Sequence, residues 1–330
     1  MNFCQERVLT DMNVCVVGYG AVGKVHADAL SDIKGVTVYA ICDINAERAY
    51  AGAQKHQCKS FTNFSDYLSD TNVDSVHIAT PHYLHFQMIE KAVKANKIVF
   101  IEKPVVMKSE ELHLLFQKYS DAPVYPVFQN RTNKCIQEIK AMDGLGKLVA
   151  VKGILTWQRT AEYYNSAEWR GTKKYEGGGV LINQAIHTLD LMSYIGGDVE
   201  YVSASASNKS LKGIIEVEDT VDAYLKFKNG ATGVFYATNA SACNDSPFIE
   251  FKYENAVIRY SDGNLYKNGE FLCSDDKSYR GKSYWGMGHE HLFYDYYVKG
   301  KTITLKDVKN TMNTVFAIYE SAYAHKEVKV

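Results

Sequence analysis

The chain has no run of eighteen apolar residues, so nothing in it reads as a membrane-spanning helix. Neither sign of charge predominates. The formal net charge of −1 speaks against a broad basic surface for nucleic acid or membrane. Internal repeats and low-complexity segments are also missing. The opening residues, Met1-Asn2-Phe3-Cys4-Gln5-Glu6-Arg7, lack the basic-then-apolar layout of a signal peptide. Cysteine is sparse, with seven residues at positions 4, 15, 42, 58, 135, 243 and 273. Their number is odd and none forms a C-x-x-C pair. They read as reduced thiols, each a small buried hydrophobe, in a cytoplasmic protein.

What is present is alternation. A length of 330 residues suits two domains, each large enough for a core. Across residues 13–128, short apolar runs alternate with helical stretches. Strands are predicted at 13–17, 36–42, 75–79, 98–101 and 124–128. Helices are predicted at 21–30, from Asn45 onward, at 84–95, and at 109–119 with Ser109 as N-cap. Strand–helix alternation implies right-handed crossovers and a doubly wound parallel sheet. Residues 1–11 precede the first strand without periodic pattern, and their deletion is expected to leave folding and cofactor affinity intact.

Beyond residue 145 the period changes to two. Val221, Ala223, Leu225 and Phe227 alternate with polar residues and run into Asn229-Gly230, a hairpin signal. Ile249, Phe251 and Tyr253 alternate in the same way, and Asp262-Gly263 and Asn268-Gly269 mark two further turns. This is a mostly antiparallel sheet with one buried face, accompanied by helices, the last starting near Lys306. The fold class is therefore α/β, with a nucleotide-binding domain over residues 1–127 and a substrate-binding and oligomerisation domain over 128–330.

Gly18-Tyr19-Gly20-Ala21-Val22-Gly23 is a complete G-x-G-x-x-G between a predicted strand and a predicted helix. The first glycine permits the tight turn, the second lets a pyrophosphate approach the backbone, and the third lets helix and strand pack closely. The helix N-terminus then offers amides to phosphate. Asp43 ends the second strand about 25 residues after Gly18, the spacing of a ribose-binding acid. A carboxylate there accepts from ribose hydroxyls and repels a 2′-phosphate, so NAD is favoured over NADP, a preference that the nearby Arg48 can soften.

Two further constellations carry chemistry. Glu102-Lys103-Pro104 follows the apolar run Ile98-Val99-Phe100-Ile101. Ligands of open parallel sheets bind beyond the carboxyl ends of the strands, where Lys103 stands. Pro104 restricts Lys103 to extended geometry. The second is Gly177-Gly178-Gly179 followed by a helical pattern that puts Asn183, His187 and Asp190 on one face. The glycines can let backbone pass close to a ligand. A histidine after such a turn, with polar partners on its face, is a candidate acid–base group.

Together with His26, Thr80-Pro81 and His85, these motifs resemble the Gfo/Idh/MocA oxidoreductases, the glucose–fructose oxidoreductase and inositol dehydrogenase group. The resemblance spans nearly the whole chain. It implies an N-terminal Rossmann domain, a C-terminal α/β domain often used for oligomerisation, and NAD(P)-dependent oxidation or reduction of one carbinol of a sugar or cyclitol. It implies that Lys103 and His187 are catalytic and that the Lys103–Pro104 peptide is cis. The glycine motif, Asp43, Thr80, Pro81, His85, Glu102 and Lys103 would then line the cofactor. Asn183 departs from a common aspartate and so positions substrate rather than relaying protons, because an amide does not titrate near neutral pH. Asn96 stands where a glycine usually ends the helix, and asparagine tolerates left-handed geometry.

In the mechanism these assignments imply, His187 takes the hydroxyl proton and Lys103, as ammonium, stabilises the developing alkoxide. Candidate substrate contacts are Arg131, Tyr163, Trp169 and Arg170, with Gln129, Trp157, Arg159 and Tyr164 nearby. Aromatic faces suit a polyhydroxylated ring, and Arg131 and Arg170 can read a carboxylate or phosphate. His289-Glu290-His291 lacks metal-ligand spacing, so no metal is expected, and His289 reads as a substrate or interface residue. Two other readings use the same motifs. One is an NAD-dependent glycosidase working through transient oxidation. The other is a nucleotide-sensing regulator, which would need neither Lys103 nor His187. The expected partners are a small polyol or sugar and further copies of the chain, as a homodimer or homotetramer joined through outward positions such as Tyr224, Val234 and Tyr236.

Overall fold

The structure, a computed structural model, describes residues 11–277 and 286–330. The expected dispensability of residues 1–11 falls almost wholly outside the described residues. The described chain forms two compact units. The first takes residues up to Val105, His113–Thr132 and those of 277–307; the second takes Val106–Leu112, Asn133–Asp276 and Val308–Val330.

The first unit holds six strands, β1 (Met12–Val17), β2 (Val36–Cys42), β3 (Lys59–Phe61), β4 (Ser75–Ile78), β5 (Ile98–Glu102) and β6 (Val124–Val127). They lie in the order β3-β2-β1-β4-β5-β6, every neighbouring pair parallel. This is the Rossmann order, with its switch point between β1 and β4. Val14, Cys15, Val16 and Val17 are all buried, which is why β1 reads as a continuous apolar run rather than an alternating one. After the strands come α1 (Ala21–Ser31), α2 (Ala46–His56), α3 (His85–Lys94) and α4 (Ser109–Tyr119). The Asn45 side chain caps α2 by accepting from the Arg48 amide at 2.8 Å. Beyond α3, Asn96 has φ 57°, the left-handed geometry expected of it. Strand β3 was not foreseen. It is three residues long and Lys59 and Ser60 are exposed, so it carries no apolar pattern.

The second unit is built on nine strands: β7 (Leu148–Thr156), β8 (Val199–Ser207), β9 (Thr220–Phe227), β10 (Thr232–Thr238), β11 (Phe248–Tyr253), β12 (Val257–Ser261), β13 (Asn264–Lys267), β14 (Glu270–Ser274) and β15 (Val328–Lys329). Their order is β14-β13-β12-β11-β7-β10-β9-β8-β15, antiparallel except for the parallel pair β7–β10. All three expected turns connect neighbouring strands. Asp262 and Gly263 both have positive φ between β12 and β13, as have Asn268 and Gly269 between β13 and β14. One face of the sheet is buried. Along β9 it carries Val221, Ala223, Leu225 and Phe227, while Tyr224 on the other face is 43 % exposed. The remaining helices of this region are α5 (Lys134–Ala141), α6 (Ala161–Asn165), α7 (Val180–Asn183) and α8 (Ile186–Gly196). Gly153 of β7 lets α8 approach the buried face, since a Cβ there would run into Met192 and Thr188.

Two helices close the chain, α9 (Gly288–Lys299) and α10 (Leu305–Ala324). A single boundary at residue 127 does not describe α9, which belongs to the first unit. Its aromatic residues explain why. The Tyr297 hydroxyl lies 2.7 Å from Ser75 Oγ and 2.9 Å from His77 Nε2, and Tyr296 packs edge-on against Phe100 at 4.9 Å between ring centroids. These contacts bury polar atoms of β4 that would otherwise lack partners. Among the described residues, no helix is long and apolar enough to cross a membrane.

Candidate active site

In the first unit the glycine loop has the three roles expected of it. Gly18 has φ 84°, and a Cβ there would lie 2.6 Å from the Ala79 carbonyl oxygen. At Gly23 a Cβ would collide with the Gly18 carbonyl. At Gly20 a Cβ would meet no protein atom within 4 Å, so this glycine keeps open a space that a side chain would fill. That is the approach a pyrophosphate needs.

Asp43 ties the loop to the end of β2. Its Oδ2 accepts from the Tyr19 amide at 2.8 Å, and its Oδ1 accepts from the Asn45 amide at 2.8 Å and from Arg48 Nη2 at 3.0 Å. The buried carboxylate thus neutralises part of the Arg48 charge. This weakens Arg48 as a receiver for a 2′-phosphate and leaves a carboxylate at the end of β2, beside the glycine loop.

Beyond the ends of β4 and β5, His85 is a strut. One ring nitrogen lies 2.7 Å from the Pro104 carbonyl oxygen and the other 2.9 Å from that of Thr80. It is fully buried, and burial holds its pKa below the ordinary value despite both contacts. His85 therefore fixes the Thr80-Pro81 turn against the Lys103–Pro104 peptide, which is cis as expected.

Glu102 sits under Lys103. Its Oε2 accepts from the Lys103 amide at 3.2 Å, and its Oε1 lies 3.0 Å from His26 Nε2 and 3.5 Å from His289 Nε2. Burial alone would raise this carboxyl, but the hydrogen bond from His26 and the nearness of His289 hold it well below the usual range. Burial in turn lowers the pKa of His26, so a neutral imidazole donates to an ionised carboxylate. The three ligand-type atoms lie within 4.8 Å of one another, and we read them as a hydrogen-bonded group. His289 is only 2 % exposed. The expectation of a substrate or interface role for it is therefore corrected: it is a buried support of Glu102. Arg131 is also buried, with Nη2 donating to the Asp307 carbonyl at 3.0 Å, which anchors it within the first unit.

In the second unit, His187 lies half-buried at the start of α8, and Asn183 ends α7. The helical pattern is broken between them by a turn at Gln184 and Ala185. The triple glycine serves packing, which corrects the expectation of a ligand passing there. A Cβ at Gly177 would lie 2.8 Å from Met107 Cβ, one at Gly178 would strike the Tyr319 hydroxyl, and one at Gly179 would strike the Glu218 carbonyl. Asp190 faces inward, accepting from Thr311 Oγ1 at 2.7 Å.

Two buried acids missed in the sequence hold this segment. Glu218 Oε2 accepts from the Gly179 amide at 2.9 Å, and its Oε1 accepts from the Leu181 amide at 3.1 Å and the Tyr319 hydroxyl at 2.9 Å. Glu176, directly before the glycines, accepts from the Gly171 amide and from the Asn183 side-chain amide. Its pKa is pushed up to about 7, chiefly by burial. Asn183 thus has a titratable neighbour, which softens its departure from aspartate. An acid placed immediately before a glycine run was the available signal.

Tyr163, Trp169 and Arg170 come together as expected. Arg170 stacks on Tyr163 and Trp169 with Cζ at 4.4 and 4.7 Å from the ring centroids, and donates to the Tyr163 hydroxyl. Gln184 Nε2 donates to the same hydroxyl at 3.1 Å, which links the cluster to the α7–α8 turn.

Comparison with known proteins agrees with this geometry. The Gfo/Idh/MocA model for an oxidoreductase family with an NAD-binding Rossmann fold matches residues 12–125, and the Gfo/Idh/MocA C-terminal domain model matches residues 135–259. The oxidoreductase YrbE of Bacillus subtilis is 30 % identical over 226 residues, 66 % of this chain and 64 % of that protein. The chain thus spans less than two thirds of that relative's length. The myo-inositol 2-dehydrogenase of Thermotoga maritima is 24 % identical over 91 % of this chain and 89 % of its own. Among solved structures, the WlbA dehydrogenase of Bordetella pertussis, in complex with NADH and UDP-GlcNAcA, superposes with a TM-score of 0.83. It is 26 % identical, covering 97 % of this chain and 99 % of that one. With both family models matched in sequence order over well more than half its length, the chain belongs to the Gfo/Idh/MocA oxidoreductases.

Proposed function

We propose that the protein transfers hydride between NAD and a carbinol or carbonyl carbon of a sugar, sugar derivative or cyclitol. The observation that carries this reading is the support of Lys103. Its amide is held by Glu102 at the carboxyl end of β5, and Glu102 is itself hydrogen-bonded to buried His26, with buried His289 at 3.5 Å. A lysine that only closed a strand would need no such support. The relatives named for myo-inositol and for a nucleotide-linked sugar acid support a polyhydroxylated substrate.

When bound, NAD supplies the hydride acceptor. The chain's own residues do the rest. Gly20 and the start of α1 receive the pyrophosphate, and Asp43 receives the ribose hydroxyls. His187 takes the hydroxyl proton as general base and returns it in the reverse direction. Lys103 donates to the reacting oxygen and stabilises its developing negative charge. Asn183, oriented by Glu176, positions a substrate hydroxyl. A panel of sugars and cyclitols with NAD tests the reading: reduced nicotinamide should accumulate with at least one, and its absence with all would reject it.

Assembly and compartment belong to the same reading. Tyr224, Val234 and Tyr236 stand 43, 51 and 39 % exposed on the open face of the second unit's sheet. Val234 pairs directly with Tyr224 across β9 and β10. Such a face is too apolar to leave wholly to water, and pairing with a second copy would cover it. A reducing compartment, the cytoplasm, suits the free thiols at Cys15, Cys42, Cys58, Cys135, Cys243 and Cys273.

A further inference from the structure

We propose that Arg159 and Arg170, mounted on the ring of Tyr163, form a subsite for an anionic group, so that the sugar handled by this chain carries a carboxylate or a phosphate. The inference rests on the sugar dehydrogenase reading above and narrows its substrate class.

The geometry begins with one tyrosine. Arg159 Cζ lies 5.0 Å from the Tyr163 centroid and 4.6 Å from that of Trp157. Arg170 Cζ lies 4.4 Å from Tyr163 and 4.7 Å from Trp169. Two guanidinium groups therefore border one aromatic ring, each also stacked on a tryptophan. Stacking fixes the plane of a guanidinium and leaves its N–H edge available for a planar or tetrahedral anion.

These charges are not neutralised locally. Arg48 and Arg259 each have a carboxylate partner at 3.0 Å. Among the described residues, neither Arg159 nor Arg170 has a carboxylate within ion-pair distance, and the buried Nε of each has no hydrogen-bond partner. Arg159 Nη1 donates at 2.7 Å to two neutral acceptors, the Gln158 carbonyl and Asn244 Oδ1. Glu176, the acid that feels the Arg170 charge, is engaged by the Gly171 amide and Asn183. Although Glu176 feels the Arg170 charge, burial keeps its own pKa near neutrality, so it is a weak counterion. Two partly buried cations beside the same ring repel each other, and an anion bound beside them offsets that repulsion.

The cluster also belongs to the catalytic segment. Gln184 donates to the Tyr163 hydroxyl and accepts from Asn239 at 3.0 Å, and it lies between Asn183 and the helix of His187. An anion held here would be fixed relative to the acid–base histidine within the same unit.

The test is isothermal titration of the NADH-loaded protein with matched sugars: glucose, glucuronate and glucose 6-phosphate, then galactose and galacturonate. The expected result is that the anionic member of a set binds at least about tenfold more tightly than its neutral parent, and that added salt narrows the gap. The carboxylate and phosphate arms show which anion is read. R170Q and R159Q should each abolish the preference while NADH affinity, carried by the other unit, is unchanged. R159Q keeps the test sound if R170Q fails to fold. Neutral sugars that bind as tightly as their anionic partners, and are oxidised, would overturn this inference and leave the dehydrogenase reading standing. No binding or oxidation of any member would overturn both.

Discussion

His26 Nε2 lies 3.0 Å from Glu102 Oε1, across 76 residues of sequence and inside the core of the nucleotide-binding unit. Through that carboxylate the glycine-loop helix, which carries His26, is connected to the backbone of Lys103. The glycine-loop helix and Lys103, the proposed catalytic lysine, are parts of one hydrogen-bonded body, and several expectations depend on it.

Glu102→Gln keeps the shape of the side chain but replaces with a donor one of the two oxygens that meet His26 and the Lys103 amide. A buried donor left unsatisfied costs about 1–3 kcal/mol. Stability should fall by that order, and turnover by about 10- to 100-fold, more than NADH affinity. Chemical denaturation and steady-state kinetics on the same variant check both. A variant as active as the wild type would show that the support of Lys103 is only structural.

Glu176 makes the second unit sensitive to pH in a defined direction. Its folded pKa of about 7 lies above the ordinary 4.5. A raised pKa means that the folded state holds the proton more tightly. The associated stability is full below pH 4.5 and is lost as pH rises through 7. The shift corresponds to about 3 kcal/mol at most. Denaturation at pH 5 and pH 8 should show wild type losing stability relative to Glu176→Gln on going to the higher pH. Parallel behaviour of the two proteins would refute the assignment.

Asp43 should set the cofactor preference. NADH is expected to raise the melting temperature more than NADPH at equal concentration, and Asp43→Ala should narrow the difference. An equal or inverted pair of shifts in the wild type would remove Asp43 from the ribose role.

The proposed assembly uses the open sheet face. Light scattering at micromolar concentration should give a multiple of 37.1 kDa. Val234→Lys should lower the mass while NAD binding persists. A wild-type mass of one chain, unchanged by NAD, would rule the assembly out.

Much of this was legible in the sequence because the signals are local. The Rossmann strands are short apolar runs, and the glycine motif sits in its required context. The hairpins carry Asp262-Gly263 and Asn268-Gly269, whose positive φ the turn type demands. What was not legible depends on contacts far apart in the chain. The return of α9 to the first unit rests on Tyr297 reaching Ser75 and His77 across more than 200 residues. His289 was misread because its neighbours in sequence say nothing of its burial beside Glu102. The glycines at 177–179 looked permissive toward a ligand, but Tyr319 and Glu218, which need that space, come from later elements. Arg131 and Arg170 looked equivalent in sequence; the burial of Arg131 against the Asp307 carbonyl and the stacking of Arg170 on Tyr163 and Trp169 separate them.

The central claim is that His187 moves the proton of a carbinol whose hydride passes to NAD. The most direct measurement follows nicotinamide absorbance and product together, with the best substrate of the panel, for wild type and His187→Ala. Net NADH formation matched by oxidised product is expected, with a loss of about 10²–10⁴ in turnover in the variant and NADH binding retained. Turnover within a few-fold of wild type, or a cleaved product without net NADH, would contradict it.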